Sequence, residues 1–331
     1  MRKYADYIWP IVGLCAVVFA GWLLYRELSG ISLAEISGAI RAIPLKNWVG
    51  AIFATIVAYG ALAWYDRIAL LHLGKHLPWP AISLVSFTTY ALSHNIGASV
   101  FSGAMVRLRA YGAMGLSLAE VGVLVALCSF TFGFGAVLLG GLVLVGEPDI
   151  IQRLFNIPQN WAFGTGVVLL LLVALYVYGS WKEFRPWRIG NFSIVYPRMP
   201  IVIRQLFAAP LELIGAAGII YFALPDVYNP GFFIVLGVFV ASFCVALASN
   251  APGGIGVLEA VFIMAMPGVP KADVLAALLV FRLLYLLIPL AFSLVVVVLF
   301  ERSRLSKVMQ ERLAEAGKER QGGSPHDGAA G

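Results

Sequence analysis

The apolar positions of this chain fall in long runs. A helix needs about 20 apolar residues to cross the hydrocarbon core of a bilayer. Six runs meet that length: Tyr7–Tyr25, Trp48–Leu71, Leu118–Val145, Trp161–Trp181, Arg204–Leu224 and Asp273–Phe300. Trp and Tyr stand near several of their ends, where interfacial anchors belong. The first run follows Arg2 and Lys3 as a signal peptide would, but it continues through Trp22, Leu23, Leu24 and Tyr25 without a small-x-small cleavage site. It therefore predicts a retained helix.

Two further apolar stretches are interrupted. Pro80–Met105 is broken by Ser93-His94-Asn95-Ile96-Gly97, and Gly231–Met266 by the run from Ser249 through Asn250, Pro252, Gly253, Gly254 and Gly256. A Pro and clustered glycines do not sustain a helix, and the freed backbone groups need protein or water because lipid offers no partner. Each half is short, so both stretches predict re-entrant hairpins that return to the face they entered. Charge agrees. With the N-terminus inside and both hairpins re-entrant, thirteen loop Lys/Arg face the cytoplasm, among them Lys75, Arg107, Arg198 and Arg302, against five outside; full crossings would give eleven against seven.

The breaks resemble one another, and each follows two full helices and precedes a third. The predicted fold is thus an all-α polytopic membrane protein built as an inverted repeat, with six full transmembrane helices and two broken hairpins. Residues 1–300 form the transmembrane domain, split at about 1–150 and 155–300. Three crossings per half set the second half upside down, as in many transporters. Residues 301–331 read as a charged cytoplasmic helix running into a disordered tail. Both termini are expected in the cytoplasm, and the location expected is a bacterial inner membrane.

Composition strengthens this picture. The chain is 61% hydrophobic and 12% charged, half the charge of an average soluble domain, about 25%. Its mean hydropathy is +0.90. The net charge of +6 sits in loops and tail, where it reports orientation and anionic lipid rather than nucleic acid. Cys15, Cys128 and Cys244 lie in apolar runs without paired spacing and read as small hydrophobes.

Ionisable groups inside such runs are the candidate chemistry. Glu212 and Arg282 lie eight and nine residues into their expected helices, about 12 and 14 Å deep at the helical rise. Each needs a partner there, and Arg282 is expected to pair with Glu259, beside the second break, or with Glu212. Such a pair is either a strut or part of a substrate path. Asp66 lies near the cytoplasmic end of its run. Arg107 and Arg109 flank the exit of the first hairpin, as snorkelling anchors or as a phosphate-binding pair. His94 and Asn95 in the first break either shuttle protons or satisfy freed backbone. Asn250, Gly253 and Gly254 leave N–H groups near a half-helix start, an anion or headgroup site. His72 and His76 share i,i+4 spacing, but Gly74 and Pro78 spoil a helix there, so no metal is expected. No cofactor, nucleophile–base pair or Walker motif is indicated, and no enzyme activity is expected.

Several of these residues also carry a resemblance. Ser93-His94-Asn95-Ile96-Gly97, the run from Ser102-Gly103 through Arg107-Leu108-Arg109 to Tyr111-Gly112, Gly115-Leu116-Ser117, Ala251-Pro252-Gly253-Gly254-Ile255-Gly256-Val257-Leu258-Glu259 and Phe281-Arg282-Leu283-Leu284-Tyr285 resemble the transmembrane region of lysylphosphatidylglycerol synthase/flippase proteins over about residues 5–300. The resemblance implies movement of aminoacylated phospholipid between leaflets. In that family a separate soluble domain attaches the amino acid from aminoacyl-tRNA. This chain is expected to be a stand-alone member without that domain; some such members occur beside genes of other lipid pathways, including hopanoid synthesis. The expected function is therefore a lipid translocase for an anionic or aminoacylated phospholipid, which is also the expected partner. A homo-oligomer or a lipid-synthesis enzyme would be a further partner. Two alternatives stand beside it: a non-transporting membrane partner in a lipid- or hopanoid-modifying pathway, and an ion-coupled small-solute transporter.

Overall fold

The computed structural model describes residues 38, 41–96, 99–149, 158–182, 187–189, 192–194, 197–249 and 257–302. The expected helix Tyr7–Tyr25, the centre of the second break and the tail lie outside them. Within them run α1 (Leu45–His72), α2 (Trp79–Ile96), α3 (Ser99–Gly112), α4 (Leu118–Gly146), α5 (Gln159–Trp181), α6 (Met199–Ala223), α7 (Phe232–Ser249), α8 (Val257–Ala265) and α9 (Lys271–Arg302). Between α5 and α6, strands β1 (Trp187–Ile189) and β2 (Phe192–Ile194) pair antiparallel, Trp187 opposite Ile194. Five of the helices (α1, α4, α5, α6 and α9) are long and apolar enough to cross a membrane, and they coincide with five of the six expected runs.

The centre of the bundle is α1 against α6, antiparallel, and small residues let them meet. A Cβ on Gly215 would lie 2.7 Å from the Ala58 nitrogen and 2.8 Å from the Ala54 oxygen, so the two backbones are in direct contact. Farther along the pair, Gly50 accommodates the Phe222 ring, and the Tyr65 hydroxyl donates to the Ala209 carbonyl at 2.7 Å. Lipid tails are as apolar as the side chains, so association rests on this close van der Waals packing and on interhelical hydrogen bonds. The same device joins α4 to α5, where Gly141 and Gly166 each face the other's carbonyl. Gln205 of α6 then ties the group together, donating to Thr131 of α4 at 2.9 Å and accepting from Tyr176 of α5 at 2.8 Å. The outer face of α5 stays apolar and exposed at Trp161, Leu171, Leu172 and Leu175, as a lipid-facing surface should.

The two broken stretches fold back on themselves. α2 packs on α3, and α7 on α8. At 9 residues, α8 is about 13 Å long, less than half of a hydrocarbon core about 30 Å thick. Both ends of the α2–α3 hairpin lie at one end of the bundle. There Arg67 sits over the Trp79 ring at 4.4 Å, Lys75 pairs with Glu120 at the start of α4 at 2.8 Å, and Arg109 pairs with Glu301 at the end of α9. The α7–α8 hairpin starts at the opposite end, where Phe232 meets Tyr221 and Phe233 covers Gly146. Lys46 pairs with Asp226 at that end at 2.7 Å and holds the Asp226 carboxyl below its ordinary range.

The first interruption falls later than the sequence suggests. α2 remains helical through Ser93, His94, Asn95 and Ile96, with the Asn95 side chain donating to the Ala91 carbonyl four residues earlier at 2.7 Å. α4 begins where expected. Gly115, at φ 93, makes a turn that side-chain-bearing residues rarely adopt. Ser117 and Glu120 then close a capping box, with the Glu120 N–H donating to Ser117 Oγ and the Ser117 N–H donating to Glu120 Oε2.

Candidate functional site

α9 carries the feature from which the site is built. Arg282–Leu287 is wound as a π-helix, a rare geometry that recurs at functional positions. Widening the turn diverts backbone carbonyls from their usual partners, and two of them take side-chain donors here. The Tyr285 carbonyl accepts from the Tyr59 hydroxyl of α1 at 2.9 Å, and the Leu286 carbonyl from Asn95 Nδ2 of α2 at 3.2 Å. The π turn thus anchors the first hairpin and α1 together.

Three buried polar groups surround it. Arg282 donates to Glu259 Oε1 through Nε at 3.2 Å and Nη2 at 2.7 Å. The arginine side chain is 6% exposed and the glutamate 24%, so this pair reaches the surface through Glu259. Glu212 of α6, 2% exposed, accepts from the Tyr285 hydroxyl at 2.5 Å. Its Oε2 has no hydrogen-bond partner among the described residues. The third group is Asp66 with Arg107, bonded through Nη2 at 2.6 Å and Nε at 3.4 Å, with side chains 0% and 5% exposed. Asp66 also accepts from Tyr111 at 2.8 Å and from the Cys128 thiol at 3.4 Å.

Aromatic rings connect these groups. Tyr285 stacks on His94 with centroids 5.4 Å apart, His94 meets Tyr90 at 5.6 Å, and the Arg107 guanidinium lies 4.8 Å above the Tyr90 ring. A seam of polar and aromatic contacts therefore runs from Glu212 through Tyr285, His94 and Tyr90 to Arg107 and Asp66, with Arg282 and Glu259 one turn along α9. His94 Nδ1 is the other ionisable atom of the seam without a hydrogen-bond partner among the described residues.

The expected ion pair of Arg282 is present, and its partner is Glu259. Glu212 takes a tyrosine instead. Arg107 and Arg109 diverge: Arg107 is buried against Asp66, while Arg109 lies at the bundle end with Glu301. Each guanidinium already holds a carboxylate, so a phosphate bound there would displace it. Asn95 satisfies backbone carbonyls. Asn250, Gly253 and Gly254 fall outside the described residues. Sequence reasoning did not find Tyr59, Tyr90, Tyr111, Cys128 or Tyr285. Tyrosine in an apolar run reads as packing or as an anchor, and the i,i+3 spacing of Arg282 and Tyr285 is the one signal that could have put them on a shared face. No group of three or more potential metal ligands occurs among the described residues.

Five membrane-length helices, two folded-back hairpins and ion pairs buried between them define a multi-pass helical membrane protein with a polar interior. Its sequence gives the family. Residues 11–293 match the family model described as the lysylphosphatidylglycerol synthase TM region, and the chain belongs to that family. It is 28% identical over 314 residues to the uncharacterized protein slr0712 of Synechocystis sp., covering 93% of this chain and 95% of that one. It is 29% identical over 262 residues to the inner membrane protein YbhN of Escherichia coli, covering 78% and 80%. With the phosphatidylglycerol lysyltransferase of Staphylococcus haemolyticus it shares 25% identity over 276 residues, 82% of this chain but 31% of that protein.

Proposed function

We propose that this protein moves a polar-headed phospholipid between the leaflets of a bacterial inner membrane, the headgroup passing along the buried seam while the acyl chains stay in lipid. The observation that carries the reading is the seam itself. Two Arg–carboxylate pairs and a third acid lie between folded-back hairpins in otherwise apolar helices, where ionisable side chains mark substrate or ion paths. Arginine grips phosphate as it grips carboxylate, in a planar fork, so Arg282 can exchange Glu259 for a phosphodiester. Glu259, the exposed member of that pair, offers the entry. Kinship with the membrane region of a phosphatidylglycerol lysyltransferase supports a phospholipid as the cargo.

An inverted repeat underlies this arrangement. α1, the α2–α3 hairpin and α4 correspond in order to α6, the α7–α8 hairpin and α9, and the packing repeats. α1 lies on α2 and α4 as α6 lies on α7 and α9; α3 lies on α4 as α8 on α9. The hairpins enter from opposite ends, which suits a path opened first on one side and then on the other. In this reading the end bearing Arg109 and Glu301 is cytoplasmic.

The test uses the full chain in vesicles containing a trace of headgroup-labelled phospholipid, with the outer leaflet bleached by a membrane-impermeant reagent. Wild-type protein bleaches lipid beyond the outer half, and Arg282→Gln slows this. Vesicles in which protein co-purifies with lipid yet bleaching stops at the outer half would refute transport and leave a lipid-binding partner.

A further inference from the structure

We infer that Glu212 is a proton-binding site in the middle of the membrane, through which lipid movement is coupled to a transmembrane proton gradient. The coupling rests on the transport reading above; the proton site does not.

The inference begins from what surrounds the carboxyl. Glu212 lies 13 residues from Met199 and 11 from Ala223, about 20 and 16 Å from the two ends of α6 at 1.5 Å per residue. The other buried or half-buried acids of the interior each hold a guanidinium: Asp66 has Arg107 and Glu259 has Arg282. Among the described residues no cation pairs with Glu212. Glu212 is 2% exposed and has no counter-charge among the described residues, and a proton on it removes the charge. Oε1 already accepts from Tyr285, so Oε2, the oxygen without a partner, is where the proton sits.

The neighbours leave this site to a proton. α1 brings Tyr59 and Tyr65, but their hydroxyls donate to the Tyr285 and Ala209 carbonyls. The π turn of α9 brings Tyr285, with Arg282 one turn before it bound to Glu259. α4 brings Cys128, bonded to Asp66, and α5 brings Tyr176, bonded to Gln205. α7 carries no acidic or basic residue. Behind Tyr285 stands His94. Its Nδ1 is also without a partner among the described residues.

The connection to transport is Tyr285. Its hydroxyl reads Glu212, its ring lies on His94, and its carbonyl holds α1. Three residues away, Arg282 holds Glu259 of the second hairpin. When the proton leaves, the Tyr285 hydroxyl donates to a full carboxylate. When it arrives, that hydroxyl is free to turn to another acceptor, and the π turn that positions Arg282 is released with it. One proton binds and one is given up; no other species is consumed.

Two measurements on the full chain test this. Infrared difference spectra between acidic and alkaline buffer should show the carbonyl band of a buried carboxylic acid, lost in Glu212→Gln and shifted in Tyr285→Phe. The second variant keeps the experiment decisive if the first does not fold. In vesicles with the membrane potential clamped, a gradient of one pH unit should shift the steady-state leaflet ratio of labelled lipid about tenfold for one proton per lipid, since one unit is a tenfold ratio of proton activity. In Glu212→Gln the ratio, whatever the rate, should not respond. Absence of the band across the neutral range would overturn the proton site. Wild-type protein that moves lipid with a ratio indifferent to the gradient would overturn the coupling. If no lipid moves at all, the transport reading falls and the coupling with it, while the infrared band still decides the proton site.

Discussion

Replacing Asp66 by Leu should be among the most damaging single changes in this protein, and the structure gives the size. Asp66 and Arg107 are 0% and 5% exposed, so solvent screening gives no discount. Removing one partner of a buried pair costs about 3–5 kcal/mol, because the other charge is left uncompensated. The Tyr90 face would retain Arg107 by about 2 kcal/mol. Leaving the Tyr111 hydroxyl unsatisfied adds about 1–3 kcal/mol, so the two corrections roughly cancel. The double variant Asp66→Leu/Arg107→Met should recover most of the loss, since an apolar replacement of a buried pair is often neutral. What remains should vanish when Tyr111→Phe is added. The assay is reversible unfolding in mixed micelles, followed by tryptophan fluorescence, for the full double-mutant cycle. Lys46→Met is the control: Lys46 and Asp226 are equally close at 2.7 Å but 70% and 64% exposed, and its loss should not register. Additive losses at Asp66 and Arg107, or a Lys46→Met loss of the same size, would refute the reasoning.

Four further outcomes are expected. Arg282→Leu and Glu259→Leu should each destabilise the protein, and their double variant should recover partly in the same unfolding assay; if stability returns while lipid movement does not, the pair lies on the headgroup path. Gly215→Ala should cost about 1–3 kcal/mol by overpacking, since its Cβ would meet Ala58 and Ala54 backbone atoms. Gly60→Ala, with nothing within 4 Å, should gain up to about 1 kcal/mol from helix propensity. Cysteines placed at Lys46 and Lys75 should label from opposite sides of the membrane in intact cells, Lys46 from outside, and labelling of both from one side would reverse or break the topology.

Much of the fold was legible because the bilayer makes helix length a one-dimensional property. Trp48–Leu71 and Leu118–Val145 differ from the observed helices by a few residues at most. The position of the first break was less legible, since Ser93, His94 and Asn95 look like loop formers, yet they continue α2, where Asn95 and His94 make tertiary contacts to α9. The need of Arg282 for an acid followed from depth alone. The choice of Glu259 over Glu212 did not, because it depends on how the α7–α8 hairpin folds back, a tertiary fact. Arg107 was misleading for the same reason. Its place at the exit of the first hairpin suits a snorkelling anchor or a phosphate site, and only the packed fold shows it buried against Asp66. The π turn has no sequence signature at all.

The α1–α6 contact has a mechanical consequence. The two backbones interlock from Gly50 beside Phe222, through Ala54 and Ala58 under Gly215, to Tyr65 on Ala209, a length of about 22 Å along α1. Sliding one helix past the other by a turn in either direction would break the Tyr65 bond to Ala209, and in one direction would bring Leu62 to the notch that Ala58 now fills. The pair therefore behaves as a fixed axle. The first hairpin is held to it by Arg107 and Tyr111 on Asp66 and to α9 by Asn95, and the second hairpin is held to α9 by Glu259 on Arg282, all through polar bonds that can be exchanged. Exchange of those polar bonds would release the two arms while the close-packed axle keeps its contacts.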